Sequence, residues 1–130
     1  NLKKYPSIKA VFDVHRDAFV YSDGSKLKVS YNRDGQETAK VMLVVGTDSM
    51  GLAHPGWRNN FMLAAKIQNA AEIMYPGLVR PIDLRRERFN MHMTSGSLLL
   101  EVGSNGNSLA EALEGGAEIG EAIAAALLNG

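Results

Sequence analysis

SLLLEVGSNGNSLAEAL (residues 97–113) reads as a buried strand, a turn and a helix start in direct succession. The apolar run 97–102 has the length and composition of a strand covered on both faces. Gly103-Ser104-Asn105-Gly106-Asn107 turns the chain. Ser108 and Glu111 then make the S-x-x-E pattern of a capping box, the start signal of a helix. Beyond it, Leu109, Leu113, Ile119, Ile123 and Leu127 recur at helical spacing. That spacing predicts a helix to about residue 128 with these side chains on its apolar side, and its many Ala and Gly residues permit close packing on a sheet.

Upstream, the same alternation of strand and helix repeats. Residues 39–45 (AKVMLVV) form a second buried strand, followed by a loop closed by His54-Pro55-Gly56. Residues 57–75 have helical spacing, with Phe61, Ala64, Ala65, Ile67, Ala71 and Met74 on one broad face and Pro76-Gly77 as the stop. Residues 8–14 (IKAVFDV) are β-branched and apolar, as a buried strand requires. Residues 18–22 and 26–31 read as further strands, with turn chemistry at Asp23-Gly24 and Asp34-Gly35, so the middle of the chain is a small antiparallel excursion. Residues 79–93 favour no element and carry a basic stretch of Arg80, Arg85, Arg86 and Arg88. The pattern is α/β: a mixed, largely parallel sheet flanked by helices, in one domain over residues 1–130.

Composition narrows the chemistry. Fourteen basic and fourteen acidic side chains cancel, so no global field draws the chain to nucleic acid or to an anionic membrane. The absence of cysteine excludes disulfides, thiolate zinc sites and cysteine nucleophiles. No apolar run is long enough to span a bilayer. Beginning at Asn1 just ahead of a strand, the sequence reads as a soluble piece of a longer chain.

In open α/β sheets, ligands collect beyond the carboxyl ends of strands, and two polar residues lie at such ends. Glu101 follows three leucines, where a carboxylate is costly to bury unless paired with a nearby arginine or used in catalysis. His15 follows IKAVFDV and is either a structural strand-end residue or a ligand, with Asp17 placed to orient its imidazole or to pair with Arg16. His54 and His92 complete the histidines, and no H-x-x-x-H or H-E-x-x-H pair writes a self-contained zinc site. The loop 103–107 is a weak phosphate cradle, lacking the lysine of a P-loop, and Ser104 lies outside any G-x-S-x-G elbow. The arginines of residues 80–88, sparsely interleaved with aromatics, read as a solvated face.

Taken together, FDVHRDAF (12–19), HPGWRNNFMLAAKIQ (54–68) and FNMHMTSGSLLLEVGSNGNSLAEAL (89–113) resemble, in this order, the stage II sporulation protein P family of zinc-dependent cell-wall amidases. VHRDA is similar to the strand-end histidine motif of the wider N-acetylmuramoyl-L-alanine amidases, which implies that His15 is a zinc ligand. LLLEVGSNGN is similar to their late motif carrying the catalytic glutamate, which implies that Glu101 is the general base and acid. Gly103-Ser104 departs from the aromatic residue common in the wider family and agrees with the sporulation branch. The resemblance implies the C-terminal part of an amidase (phosphorylase/hydrolase-like) catalytic domain, the family's other zinc ligands coming from a preceding half. It also implies zinc as cofactor, and cleavage of the amide between N-acetylmuramic acid and the L-alanine of the stem peptide. Arg16, His54 and His92 are its candidates for substrate contact. Implied partners are peptidoglycan, stage II sporulation protein D and other engulfment proteins, with the parent anchored in the membrane and facing the space between mother cell and forespore. Two other readings stay open: a non-catalytic module that binds cell wall or a partner, and a phosphate- or nucleotide-binding domain using the 103–107 loop.

Overall fold

The computed structural model describes residues 1–129. Its elements, in chain order, are β1 (Val11–Asp17), β2 (Ser30–Arg33), β3 (Gln36–Ala39), β4 (Val41–Gly46), α1 (Trp57–Met74), β5 (Asp83–Arg85), a single 3-10 turn (Met91–Met93), β6 (Ser97–Ser104) and α2 (Leu109–Leu128). A four-stranded sheet runs in the order β1-β6-β4-β5. β1 pairs parallel with β6 and β4 parallel with β5, while β6 and β4 are antiparallel. The sheet is therefore mixed and mostly parallel, as expected. The late strand β6 is inserted between β1 and β4, so the last strand and the first lie side by side.

The two central strands are buried along their whole length, which is why they read as continuous apolar runs. Alternation along them separates two faces. On one, Val41, Leu43, Val45, Leu98, Leu100 and Val102 pack with Ala64, Ile67 and Ala71 of α1 and Ile119, Ala122 and Ala126 of α2. Both helices thus cover the same face. On the other face, Met42, Val44 and Leu99 form a smaller buried cluster with Met91 of the 3-10 turn. That second face is the open one.

β1 departs from the buried strand expected of IKAVFDV. It lies at the sheet edge with only Phe12 and Asp17 partly covered, and Val14 is 64% exposed. An edge strand loses half its neighbours, whatever its β-branched content. Residues 18–22 and 26–31 also differ from expectation: a single bridge, Val20–Lys26, joins them, and the first strand of the excursion starts at Ser30. Phe19, Val20 and Tyr21 remain exposed, so nothing rewards a longer ladder there. The β2–β3 hairpin has its turn at Asp34-Gly35 as expected, but its second strand is the short β3 and not residues 39–45. Its turn residues Asp34 and Gly35 both have positive φ, 51° and 88°, the backbone that matches strand twist in a two-residue hairpin.

The hairpin is fixed to α2 by Glu118, which accepts from Arg33 Nη1 at 2.8 Å and from the Tyr31 hydroxyl. A Cβ on Gly115 would meet the Ala39 carbonyl oxygen at 2.3 Å, so only glycine allows this helix so close to β3. Packing consequently selected the small-residue side of α2. Leu109, Leu113 and Leu127, expected on the buried side, face outward, while Ile119 is buried and Ile123 partly so. On α1 the buried stripe is Asn60, Ala64, Ile67 and Ala71, leaving Phe61, Ala65 and Met74 exposed.

The capping box forms as the sequence indicates: Ser108 Oγ accepts from the Glu111 amide at 3.2 Å and Glu111 accepts from the Ser108 amide at 3.0 Å. Ser108→Ala leaves the Glu111 amide without this partner and is expected to cost about 1 kcal/mol, seen as a lower denaturant midpoint with an unchanged slope.

Candidate functional site

The site is built from the alternation of two neighbouring strands. In the parallel pairing of β1 with β6, Asp13 lies opposite Leu99 and His15 directly opposite Glu101, while Met42 of β4 flanks Glu101 on the other side. These residues share the open face because strand side chains repeat every second position. His15, Glu101 and Arg85 line one groove of about 730 Å³, with Leu99, Met91 and Phe89 among its apolar walls. The two strand-end residues singled out in the sequence therefore face a common cleft.

Glu101 is 8% exposed, and its Oε2 is buried with no hydrogen-bond partner among the described residues. Burial raises its pKa above the ordinary carboxylate value, and the neighbouring Asp17 charge raises it further, against the pull of His15, Arg85 and Arg80. A carboxylate in this state holds its proton more firmly than an ordinary glutamate does. His15 is more open, and its Nε2 lies 2.8 Å from Asp13 Oδ1. Asp13, not Asp17, is thus the carboxylate that orients the imidazole. Asp17 instead accepts from Arg80 Nη1 at 3.4 Å and caps the Ala18 amide at 2.9 Å. The D-x-H spacing on a strand was the signal for Asp13: residues two apart point the same way.

The other candidates are placed elsewhere. Arg16 is exposed and lies outside the walls of the His15–Glu101 groove. His54 is 2% exposed, with Nε2 3.3 Å from Asn60 Nδ2. The same Asn60 nitrogen donates to the Met91 carbonyl at 3.0 Å, and Asn60 Oδ1 accepts from the Ser97 amide at 3.0 Å. Burial, then the nearby His92 and Arg88, lower the His54 pKa and favour the neutral ring. His92, exposed on the 3-10 turn, has its ring 6.5 Å from that of His54. The structure joins these two histidines to each other and to the base of β6, and neither lines the groove of His15 and Glu101.

The basic stretch is only partly a solvated face. Arg86 is exposed, but Arg80 reaches Asp17, Arg85 Nε donates to Asp83 at 2.7 Å, and Arg88 Nη1 donates to the Ala53 carbonyl at 3.0 Å. Sequence alone could not turn these side chains inward, since β5 is only three residues long and gives no periodicity to read. The 103–107 loop has its amides committed internally: Ser104 N and Val29 N donate to Asn107 Oδ1, Gly106 N to Leu27 O, and Asn107 N to Ser104 O. No free amide cradle for phosphate remains at 104, 106 and 107.

The sequence profile described as Stage II sporulation protein P (SpoIIP) matches residues 1–124. The chain belongs to the stage II sporulation protein P family. No curated protein and no solved structure matches it. Membership of the stage II sporulation protein P family gives the chain a role in sporulation and is consistent with a hydrolase. Among the described residues, no helix is long and apolar enough to cross a membrane.

Proposed function

We propose that the chain carries the general base of a zinc-dependent N-acetylmuramoyl-L-alanine amidase that opens peptidoglycan between mother cell and forespore during engulfment. The observation that supports this reading is the direct pairing of His15 with Glu101 on an open sheet face, Glu101 having a buried oxygen without a partner. The donor set suits one corner of a zinc centre: an imidazole held by a carboxylate at 2.8 Å is the usual arrangement of a metal-binding histidine. Among the described residues, no group of three His, Asp or Glu side chains is arranged to hold a metal ion, so the proposal assigns the remaining ligands to residues outside this group. Zinc, when bound, supplies a Lewis acid for the scissile carbonyl and acidifies a water.

Glu101 accepts the proton of the attacking water as the new C–O bond forms, and passes it to the amide nitrogen as the C–N bond breaks. Its raised pKa serves both halves, because the base must also persist as an acid until the amine leaves. Asp13 fixes the imidazole plane, and Leu99, Met91 and Phe89 give the groove low-dielectric walls that strengthen these interactions.

The test is digestion of peptidoglycan by the zinc-loaded protein, read as newly freed L-alanine amino groups. His15→Ala is expected to lower their release at least about tenfold while leaving the fold intact, on the scale of losing a ligand contact. Release of reducing sugar ends alone, or full activity in His15→Ala, would sink the proposal. Wall binding without cleavage of any bond would select a non-catalytic binding module instead.

A further inference from the structure

A second groove, of about 490 Å³, lies beside the first on the open face, walled by Asp17, Arg80, Asp83 and Arg85 around Met42. Arg85 lines both grooves. Its side chain is 34% exposed, and its Nε donates to Asp83 Oδ2 at 2.7 Å. Among the described residues, that is its one side-chain hydrogen bond, and the two terminal nitrogens have none. Asp83 thus fixes the guanidinium plane from the Nε side and leaves the opposite fork free. A partly desolvated planar fork of this kind matches a carboxylate in bidentate geometry, which a lysine could not do. The walls pair Arg80 with Asp17 and Arg85 with Asp83, so what the groove offers a ligand is the unbonded fork of Arg85 and not a net positive charge.

The order of strands gives the fork a place along the substrate. Across the open face run His15 on β1, Glu101 on β6, Met42 on β4, and Arg85 on β5. In the proposed reaction the scissile carbonyl lies on the His15 side, and the leaving nitrogen lies at Glu101, which protonates it. The chain beyond that nitrogen then continues towards β5. Two strand spacings of about 4.8 Å separate β6 from β5, and Arg85 pairs with Gly46, further along β4 than the Met42 that pairs with Glu101, so a few extended residues together with the Arg85 side chain bridge this diagonal.

We propose that Arg85, with Arg80 in the same groove, forms a carboxylate subsite selecting peptides that carry a free carboxylate a few residues beyond the scissile nitrogen. The assignment of the subsite to the amine side rests on the amidase reading. The anion site itself rests on the free fork of Arg85 and the groove that it shares.

The test is binding, measured in protein carrying Glu101→Gln so that no probe is consumed. The probes are N-acetyl-L-Ala-D-Glu and its diamide, titrated into the protein with and without Arg85→Met. The diacid is expected to bind about tenfold more tightly than the diamide, the scale of one charge-assisted hydrogen-bond pair that is partly exposed. Arg85→Met is expected to remove the preference, and Arg85→Lys to restore part of it. Equal affinity for the two probes, or a preference unchanged in Arg85→Met, would overturn the subsite. A preference for the diacid without peptidoglycan cleavage by the unmodified protein leaves the subsite standing and fails the amidase reading. Cleavage without that preference does the reverse.

Discussion

On the proposed amidase reading, Glu101→Gln is expected to lower peptidoglycan hydrolysis by about 10²–10⁴-fold, the range for loss of a positioned general base, and to make the protein more stable at neutral pH. The two effects have one origin. The folded protein buries a carboxylate oxygen with no partner and raises its pKa, chiefly by desolvation and then through Asp17. The folded state therefore holds the Glu101 proton at pH values where the unfolded chain has released it. Stability contributed by the protonated form is present below the ordinary value of 4.5 and is lost as pH rises from there through the folded value. Glutamine keeps the shape, removes the charge and removes that slope. A gain of about 1 kcal/mol at pH 7, from removing a desolvated charge while leaving a neutral polar group in its place, should appear in urea titrations. Stability curves of the two proteins that stay parallel across pH 4–8 would contradict this account of Glu101.

Asn60→Ala is expected to cost about 3 kcal/mol, the largest effect for a single residue away from the groove. Asn60 is fully buried on α1, where its amide donates to His54 Nε2 and the Met91 carbonyl while its oxygen accepts from the Ser97 amide. Alanine leaves all three groups unpaired in the interior. They belong to the loop before α1, the 3-10 turn and the first residue of β6, so the change loosens the base of the strand that carries Glu101. Thermal unfolding measures the loss directly. Retention of the original midpoint would show that these contacts contribute little, and that His54 and His92 are free for another role.

Much of this architecture is legible in local chemistry. The S-x-x-E box at Ser108, the Asp34-Gly35 hairpin turn and the apolar runs of β4 and β6 each depend on neighbours in sequence. The site is half legible for the same reason. His15 and Glu101 stand out at strand ends, but the carboxylate expected beside the imidazole is Asp17, and the structure puts Asp13 there. Arg85 and Arg80 do not stand out. They come from a segment of three paired residues and a loop, and they reach the face only because β5 docks beside β4.

The sequence by itself determined which segments become strands and helices in the two central layers, and which carboxylate is anomalous. Those properties follow from side-chain type and spacing, which act over a few residues. Only the tertiary structure decided that β6 slots between β1 and β4, that β1 is an exposed edge, and that α2 buries Gly115, Ala122 and Ala126 and not its leucines. Each is a competition between alternative packings with similar local energies. Close approach of backbones at Gly115 and the pairing of distant strands settle it. The same insertion of β6 places His15 opposite Glu101, 86 positions apart in the chain and adjacent in the sheet.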